Sequence, residues 1–147
     1  MDAGKYSFDG RILEHLDENF EGYYEVPEGV MSIADGALMF CGKLSAISLP
    51  TTLTKIGEYA FKSCENLESI IIPDSVTYIG PHAFYYCTSL KSLHLPNAVN
   101  AIGNDCFENC IKLEIIEFPS QLAVINDSVF EGCDSLKTLT FGDHIVK

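Results

Sequence analysis

The sequence has little of what marks several large classes of protein function. It has no tryptophan, and its 9 lysine and arginine residues are outnumbered by 21 aspartate and glutamate residues. The formal net charge of −12 disfavours binding to nucleic acid or anionic membranes, because both need clustered basic side chains. No apolar run approaches about 18 residues, so no membrane insertion is predicted. The first residues, MDAGKYSFDG, lack the basic and then apolar pattern of a signal peptide.

Signatures of catalysis are also missing. The four histidines lie at unrelated positions (15, 82, 94 and 144), and none is paired with serine or cysteine at a spacing typical of nucleophilic catalysis. His82 is interpreted as a solvated helix residue. No carboxylate pair and no glycine-rich phosphate loop stands outside the repeat described below. The sequence therefore predicts no enzyme, no cofactor and no metal site.

The dominant feature is an internal repeat of 23 residues. Prolines recur at this interval at positions 27, 50, 73, 96 and 119. Within the 23-residue copy that each proline begins, the same eight positions are apolar in all five copies. Such regularity is typical of a solenoid, in which each copy buries its apolar face against the next. The sequence predicts an N-terminal cap with a β-hairpin at 1–26, five repeats over 27–141, and the start of a truncated sixth repeat at 142–147.

After its proline, each repeat is predicted to run through an extended or turn-like stretch to a corner and then into a short helix. Gly80 occupies the corner, and its equivalents Gly57, Gly103 and Asn126 all tolerate a positive φ. Ala83, Phe84 and Cys87 then follow the i, i+1, i+4 spacing of one helical face. Pro81 suits the first position of such a helix.

The end of each repeat is predicted to be a strand. In the second repeat, Ile70 and Ile72 alternate with Ser69 and Ile71, and Pro73 follows without an amide donor. Strands stack about 4.8 Å apart and helices about 8–10 Å apart, so the strands should form the concave side and the helices the convex side.

The pattern L-x-x-I-x-I-P-D-S-V-T-x-I-G-x-x-A-F-x-x-C at 67–87 resembles the BspA-like leucine-rich repeats, a bacterial and protozoan subclass. The resemblance implies an α/β class fold: a right-handed leucine-rich-repeat solenoid of five 23-residue repeats, with a parallel concave sheet and short helices on the convex side. It also implies a non-enzymatic binding or adhesion module that is secreted or attached to a cell surface. The ladder asparagine of common leucine-rich repeats is replaced by Thr52, Ser75, Ala98 or Gln121, so the backbone of that turn must be satisfied otherwise.

The strand positions that point away from the core are the candidate binding residues. They are Tyr23, Glu25, Ser48, Ser69, Ile71, Ser92, His94, Ile115, Glu117, Thr138 and Thr140. Ile71 and Ile115 are apolar yet expected to be exposed, which indicates either a contact patch or merely the strand preference of β-branched residues. Tyrosines 59, 78, 85 and 86, on or near the helix side, form a second candidate surface.

Three functions are compatible with these features. The leading one is binding to a protein partner, and the alternatives are a structural spacer without a ligand and, less favoured, a thiol or metal-binding protein. Five cysteines form one core column and the sixth, Cys106, replaces a core alanine, so they are interpreted as small apolar residues. Helices about 8–10 Å apart would hold them too far from one another for disulfides.

Two further expectations concern location and assembly. Reduced, buried cysteines suit the cytoplasm, whereas the family resemblance favours the cell surface, so the sequence leaves localisation open. Leu139, Phe141 and Ile145 have no following repeat to cover them. An uncapped end of this kind predicts weak self-association, or disorder of 142–147.

Overall fold

The computed structural model describes residues 3–120, 122, 124–126, 128–142 and 144–145, and the chain winds into a solenoid of about six turns. Its strands are short. They are β1 (Gly4–Tyr6), β2 (Ile12–Leu16), β3 (Gly22–Glu25), β4 (Ser32–Ile33), β5 (Leu44–Ser48), β6 (Lys55–Ile56), β7 (Tyr78–Ile79), β8 (Ser92–His94), β9 (Ala101–Ile102), β10 (Ile115–Phe118), β11 (Thr138–Phe141) and β12 (His144–Ile145).

Two parallel ladders run along the solenoid. The two-residue strands β4, β6, β7 and β9 pair in that order, each 23 residues after the last, so that Ile33, Ile56, Ile79 and Ile102 align. The longer strands form the second ladder, in which β3 pairs with β5, and β10 pairs with both β8 and β11. Parallel pairing at a constant offset confirms the predicted stack of repeating coils.

A hairpin covers the first coil. Strands β1 and β2 pair antiparallel, and β2 continues the first ladder by pairing parallel with β4. The turn between them contains Asp9, whose carboxylate accepts hydrogen bonds from Ser7 Oγ at 2.6 Å and from the Arg11 amide at 3.1 Å. Leu13 and Leu16 of β2 are fully buried. The position of this hairpin agrees with a cap, and its boundary at residue 26 stays a prediction.

At the other end, β12 folds back antiparallel on β11, with Thr140 opposite Ile145 and Phe141 opposite His144. The start of a sixth repeat at 142–147 stays a prediction. The predicted disorder of this segment concerns residues that lie partly outside the described part of the chain.

The predicted convex helices are wrong. No helix occurs among the described residues, so none is available there to cross a membrane. The segments expected to be helical, 35–40, 58–63, 81–86, 104–109 and 128–132, are successive turns, and together they are called the turn face here. In the first repeat, the Ala37 amide donates to Ala34 O and the Cys41 amide donates to Leu38 O, which closes two consecutive turns.

Each of these turns needs a left-handed residue. The third residue of the first turn has a positive φ in every repeat (Gly36, Tyr59, His82, Asp105 and Ser128), as does that of the second (Phe40, Ser63, Tyr86, Asn109 and Gly132). A positive φ at this position is typical of a type II turn and is incompatible with a right-handed helix. Pro81, expected to begin a helix, instead lies second in a turn, where its fixed φ is equally suitable.

Hydrogen bonds between coils explain why turns form here. On the turn face alternate amides donate to the next coil, as in Leu38 N to Ala60 O and Phe40 N to Lys62 O, both at 2.8 Å. Beyond its first turn an α-helix bonds its amides within itself, and helices stack about 8–10 Å apart, about twice the spacing of paired strands. The turn face is therefore bonded from coil to coil like a sheet. Since no helices lie on this side among the described residues, the difference in width that predicted a curved stack is absent there.

The corner glycines serve close approach between coils. None of Gly57, Gly80 and Gly103 has a positive φ, contrary to the prediction. A Cβ atom at Gly57 would lie 2.7 Å from the Asp35 amide nitrogen, at Gly80 2.6 Å from the Glu58 nitrogen, and at Gly103 2.1 Å from the Pro81 nitrogen. Only a residue without a side chain lets the backbones come this close.

The fifth repeat has asparagine at this corner. In the earlier coils the glycine amide donates to the preceding coil, as in Gly103 N to Ile79 O at 2.9 Å. At Asn126 the side-chain Nδ2 makes the corresponding bond, to Ile102 O at 2.8 Å. The first ladder ends at β9, and no strand follows among the described residues around position 125. The loss of glycine thus coincides with the end of the closely bonded ladder.

The eight predicted apolar columns form most of the core, together with residues of the first 26 such as Leu13 and Leu16. All eight positions are buried in the second, third and fourth repeats, whereas in the fifth only Val129 is buried. Phe61, Phe84 and Phe107 are fully buried and stack face to face, with ring centroids 5.1 Å and then 5.7 Å apart. Stacking of identical side chains from successive coils makes the interior continuous along the solenoid axis.

The cysteine column is confirmed as core, with a further role for the thiols. Cys41, Cys64, Cys87 and Cys110 are fully buried and Cys133 is half-buried. All six cysteines are free. Each thiol of the column donates to a carbonyl of the preceding coil, as in Cys87 Sγ to Phe61 O at 3.1 Å. The helix spacing used to exclude disulfides is wrong, because the turns stack like strands.

Hydroxyl groups partly replace the missing asparagine ladder. Thr52 Oγ1 donates to Val30 O at 2.8 Å, and Ser75 Oγ donates to Leu53 O at 2.6 Å. Thr52 Oγ1 also accepts a hydrogen bond from the Gly29 amide at 3.0 Å. A short polar side chain at this position therefore satisfies backbone groups of the preceding coil.

We expect Gly103→Ala to lower the free energy of unfolding by at least about 2 kcal/mol, because the new methyl group would meet backbone that cannot rotate away. Gly42→Ala is the matched control, since its Cβ would meet nothing closer than Ser63 O at 3.8 Å. This control should change stability by no more than about 0.5 kcal/mol. Urea unfolding of both variants tests the assignment, and equal effects would contradict it.

The buried thiols predict a loss of stability at high pH. Burial raises the pKa of Cys106 to about 12 and those of Cys41 and Cys133 to about 11, compared with about 8.5 for an exposed thiol. Because these pKa values are raised in the folded state, the protonated thiols stabilise the folded protein. This stabilisation is complete below pH of about 8.5 and is lost as pH rises from there towards 11–12. In this pH range each thiol should lower the free energy of unfolding by up to about 1.4 kcal/mol per pH unit.

Cys106→Ala isolates this effect, because alanine stands at the same position in the first three repeats. We expect the unfolding free energy of this variant to fall less steeply between pH 8.5 and 10 than that of the parent chain. Parallel slopes would show that the Cys106 thiol ionises freely in the folded protein.

Candidate interaction surface on the strand face

The outward side chains of the second ladder form the strand face, which consists of β3, β5, segment 67–72, β8, β10 and β11. Of the eleven candidate residues on it, nine are exposed, and Thr138 and Thr140 are half-buried. The pairing register places them in two rows, so that Ser92, Ile115 and Thr138 adjoin in one row. His94, Glu117 and Thr140 adjoin in the other. The structure therefore brings these residues together on one surface.

Charged side chains on and next to this surface pair across neighbouring coils. His94 Nδ1 lies 2.8 Å from Glu117 Oε2, Lys91 Nζ lies 2.7 Å from Glu68 Oε2, and Lys137 Nζ lies 3.1 Å from Glu114 Oε2. The hydrogen bond and charge of Lys91 lower the pKa of Glu68. These pairs are exposed, so they orient side chains and contribute little to stability.

The strand ladder is interrupted between the first two repeats. Strand β5 pairs only with β3, and segment 67–72 pairs only through a single bridge between Ser69 and Ser92. Among the described residues no backbone hydrogen bond joins 44–49 to 67–72. Both edges of this gap therefore present backbone groups that no neighbouring coil occupies.

An apolar cleft lies at the interruption. It has a volume of about 530 Å³ and is lined by side chains of both edges, including Ile47, Leu49, Ile71, Ile72, Pro73 and Asp74. Ile71 is 85% exposed, although it lies at the centre of the strand face. An aliphatic side chain left this exposed beside an open cleft offers apolar area to a partner.

The turn face carries a separate aromatic cluster. Lys62 Nζ lies 5.1 Å from the ring centroid of Tyr59 and 5.4 Å from those of Phe40 and Tyr85. The ring of His82 stacks on Tyr59, with centroids 4.6 Å apart and planes within 4°. Lys62 thus makes cation–π contacts with three aromatic rings from neighbouring coils.

Sequence reasoning missed most of this cluster. The tyrosines were a second candidate surface, but His82 was interpreted as a solvated helix residue, and the structure places it on a turn between two aromatic rings. Tyr59, His82 and Asp105 occupy one position in successive repeats. That spacing would have indicated their contact if sheet-like stacking of the turn face had been assumed.

The family model for the BspA type leucine rich repeat region matches residues 23–147 in six copies. Solved structures of two bacterial proteins align over nearly the whole chain. A leucine rich repeat protein of Treponema pallidum has a TM-score of 0.82 and 28% identity, over 90% of this chain and 65% of its own. A leucine rich cell surface protein of Faecalibacterium prausnitzii has a TM-score of 0.86 and 28% identity, over 96% of this chain and 38% of its own.

A leucine-rich repeat protein of Bacteroides ovatus is 31% identical, with a TM-score of 0.77, over 80% of this chain and 30% of its own. The chain thus spans less than two thirds of the length of each of these three proteins. No curated protein matches it.

Proposed function

Because the chain belongs to the BspA type leucine-rich repeat family, we propose that it binds a protein partner through its strand face and catalyses no reaction. The observation that carries this proposal is the exposure of Ile71 beside the cleft at the interrupted ladder. Strand-face side chains have no packing role, so their identities are free to serve recognition. The name of the Faecalibacterium relative supports a cell-surface location for a protein containing this chain.

The cleft is suited to an extended peptide segment. It lies where two strand edges carry backbone groups that no neighbouring coil satisfies, and such edges bind added strands through main-chain hydrogen bonds. Its apolar walls would receive an aliphatic or aromatic side chain of the segment. Ser48, Ser69 and Ser92 are small, which leaves the backbone of the strand face accessible to a partner.

Substitution of exposed residues tests this assignment. We expect Ile71→Asp to abolish most partner binding because it places a charge at the cleft, while the unfolding free energy changes by less than about 0.5 kcal/mol. His94→Asp should also weaken binding, since it puts a second carboxylate beside Glu117. Partners are captured on the immobilised chain from extracts of the source cell and its host, and each captured protein is then titrated against every variant.

Met31→Asp is the matched control, because Met31 is also an exposed apolar residue, with 43% of its surface accessible, but adjoins the other ladder. It should leave binding unchanged. Equal losses in the Met31 and Ile71 variants would remove the strand face as the binding site. A chain that captures no partner would favour a structural spacer instead.

A further inference from the structure

A cluster of metal-ligating side chains lies on the turn face, away from the proposed partner surface. His82, Asp105 and Glu108 each present one ligand atom, and these atoms all lie within 4.8 Å of one another. His82 Nε2 lies 3.6 Å from Asp105 Oδ2, which is too long for a normal hydrogen bond. Two ligands of a tetrahedral ion with bonds of about 2.0–2.2 Å lie about 3.3–3.6 Å apart. The imidazole and the carboxylate are therefore at a separation that one cation can bridge.

The backbone fixes the spacing of the three residues. His82 and Asp105 occupy the same left-handed position in consecutive repeats, each with a φ of 53°. The amides of His82, Phe84 and Tyr86 donate to the carbonyls of Asn104, Cys106 and Glu108 respectively, each at 2.9 Å. This ladder holds the third and fourth repeats together directly beneath the cluster, so the side chains need only rotamer adjustments to converge.

Neighbouring side chains orient the ligands. The His82 ring is stacked on Tyr59 and contacted edge-on by Tyr85, with ring centroids 5.5 Å apart. His82 Nδ1 is buried without a hydrogen-bond partner, so the ring is held by stacking, and Nε2 is the nitrogen that faces the Asp105 carboxylate. Asn109 Nδ2 donates to Glu108 Oε1 at 3.1 Å, which holds one carboxylate oxygen and leaves the other for a cation.

Negative charge is concentrated at this point. Asp105 and Glu108 are both half-buried, and Glu131 of the next repeat adds a further carboxylate near them. On the turn face, Lys62 lies over aromatic rings. A bound cation would therefore relieve repulsion among partly buried carboxylates.

We propose that His82, Asp105 and Glu108 bind a divalent first-row transition-metal cation such as Zn²⁺, in a site that joins the third and fourth repeats. The imidazole ligand disfavours Mg²⁺ and Ca²⁺, which prefer oxygen, whereas one nitrogen and two carboxylate oxygens suit zinc with water in the remaining position. Because the ligands come from two coils, the site exists only in the folded stack, and metal binding stabilises it.

Titration of the intact, untagged chain with ZnCl₂ tests this site. Calorimetry should show one ion bound per chain, and the melting temperature should rise by about 5–10 °C at a zinc concentration about 100 times Kd. Asp105→Asn and Glu108→Gln keep the side-chain shape and remove one ligand charge. Each should weaken zinc binding by at least about tenfold and reduce the thermal shift. His82→Ala should have a similar effect, provided that circular dichroism shows the parent fold.

His94→Ala is the matched control, because His94 and Glu117 form a close imidazole–carboxylate pair at 2.8 Å that no third ligand joins among the described residues. Zinc binding should be unchanged in this variant. Binding of CoCl₂ should give visible absorption without a thiolate charge-transfer band, which separates this site from the buried cysteines. The proposal is overturned by absence of zinc binding, by equal losses in the His94 and His82 variants, or by a thiolate band.

Discussion

Coils of this solenoid approach one another at the spacing of paired β-strands along the first ladder, on the turn face and, outside one interruption, on the strand side. Backbone hydrogen bonds cross between coils in both ladders and on the turn face. This spacing explains why the corner needs glycine, since a Cβ at Gly80 or Gly103 would overlap the preceding backbone. It also brings each column thiol to a carbonyl of the previous coil and lets successive phenylalanine rings stack. One distance thus selects glycine, cysteine and phenylalanine at three positions of the repeat.

The sequence predicted the repeat, the buried columns and the hairpin, because all three depend on residue patterns with a single structural meaning. It failed on the turn face because apolar residues at i, i+1 and i+4 occur both on one turn of helix and in two successive tight turns. The left-handed residues that distinguish the two include Phe40 and Tyr59, whose aromatic side chains give no signal for a positive φ. The corner glycines were predicted to serve by tolerating a positive φ. In the structure they are needed because backbone atoms of the preceding coil lie where a side chain would be.

The candidate surfaces were predictable to different degrees. Alternation along a strand was enough to identify outward residues such as Ile71 and His94, whose exposure the structure shows. The strand ladder is interrupted beside Ile71 because backbone hydrogen bonds that join later coils are missing there. No residue type in the sequence indicates this loss. To predict the turn-face cluster, one would have to know how far His82 lies from Asp105. The helices that the sequence wrongly predicted would place neighbouring coils about twice as far apart as the turns do.

The interruption of the strand ladder has a mechanical consequence. Between the first two repeats, β4 and β6 remain paired, and Leu38 and Phe40 remain bonded across the turn face, while the strand side has no such bond among the described residues. Bending that widens the strand side there breaks no backbone hydrogen bond, whereas the opposite bend strains two continuous ladders. The solenoid therefore has a compliant joint between its first two repeats with a preferred bending direction, and the cleft lies on the side that opens.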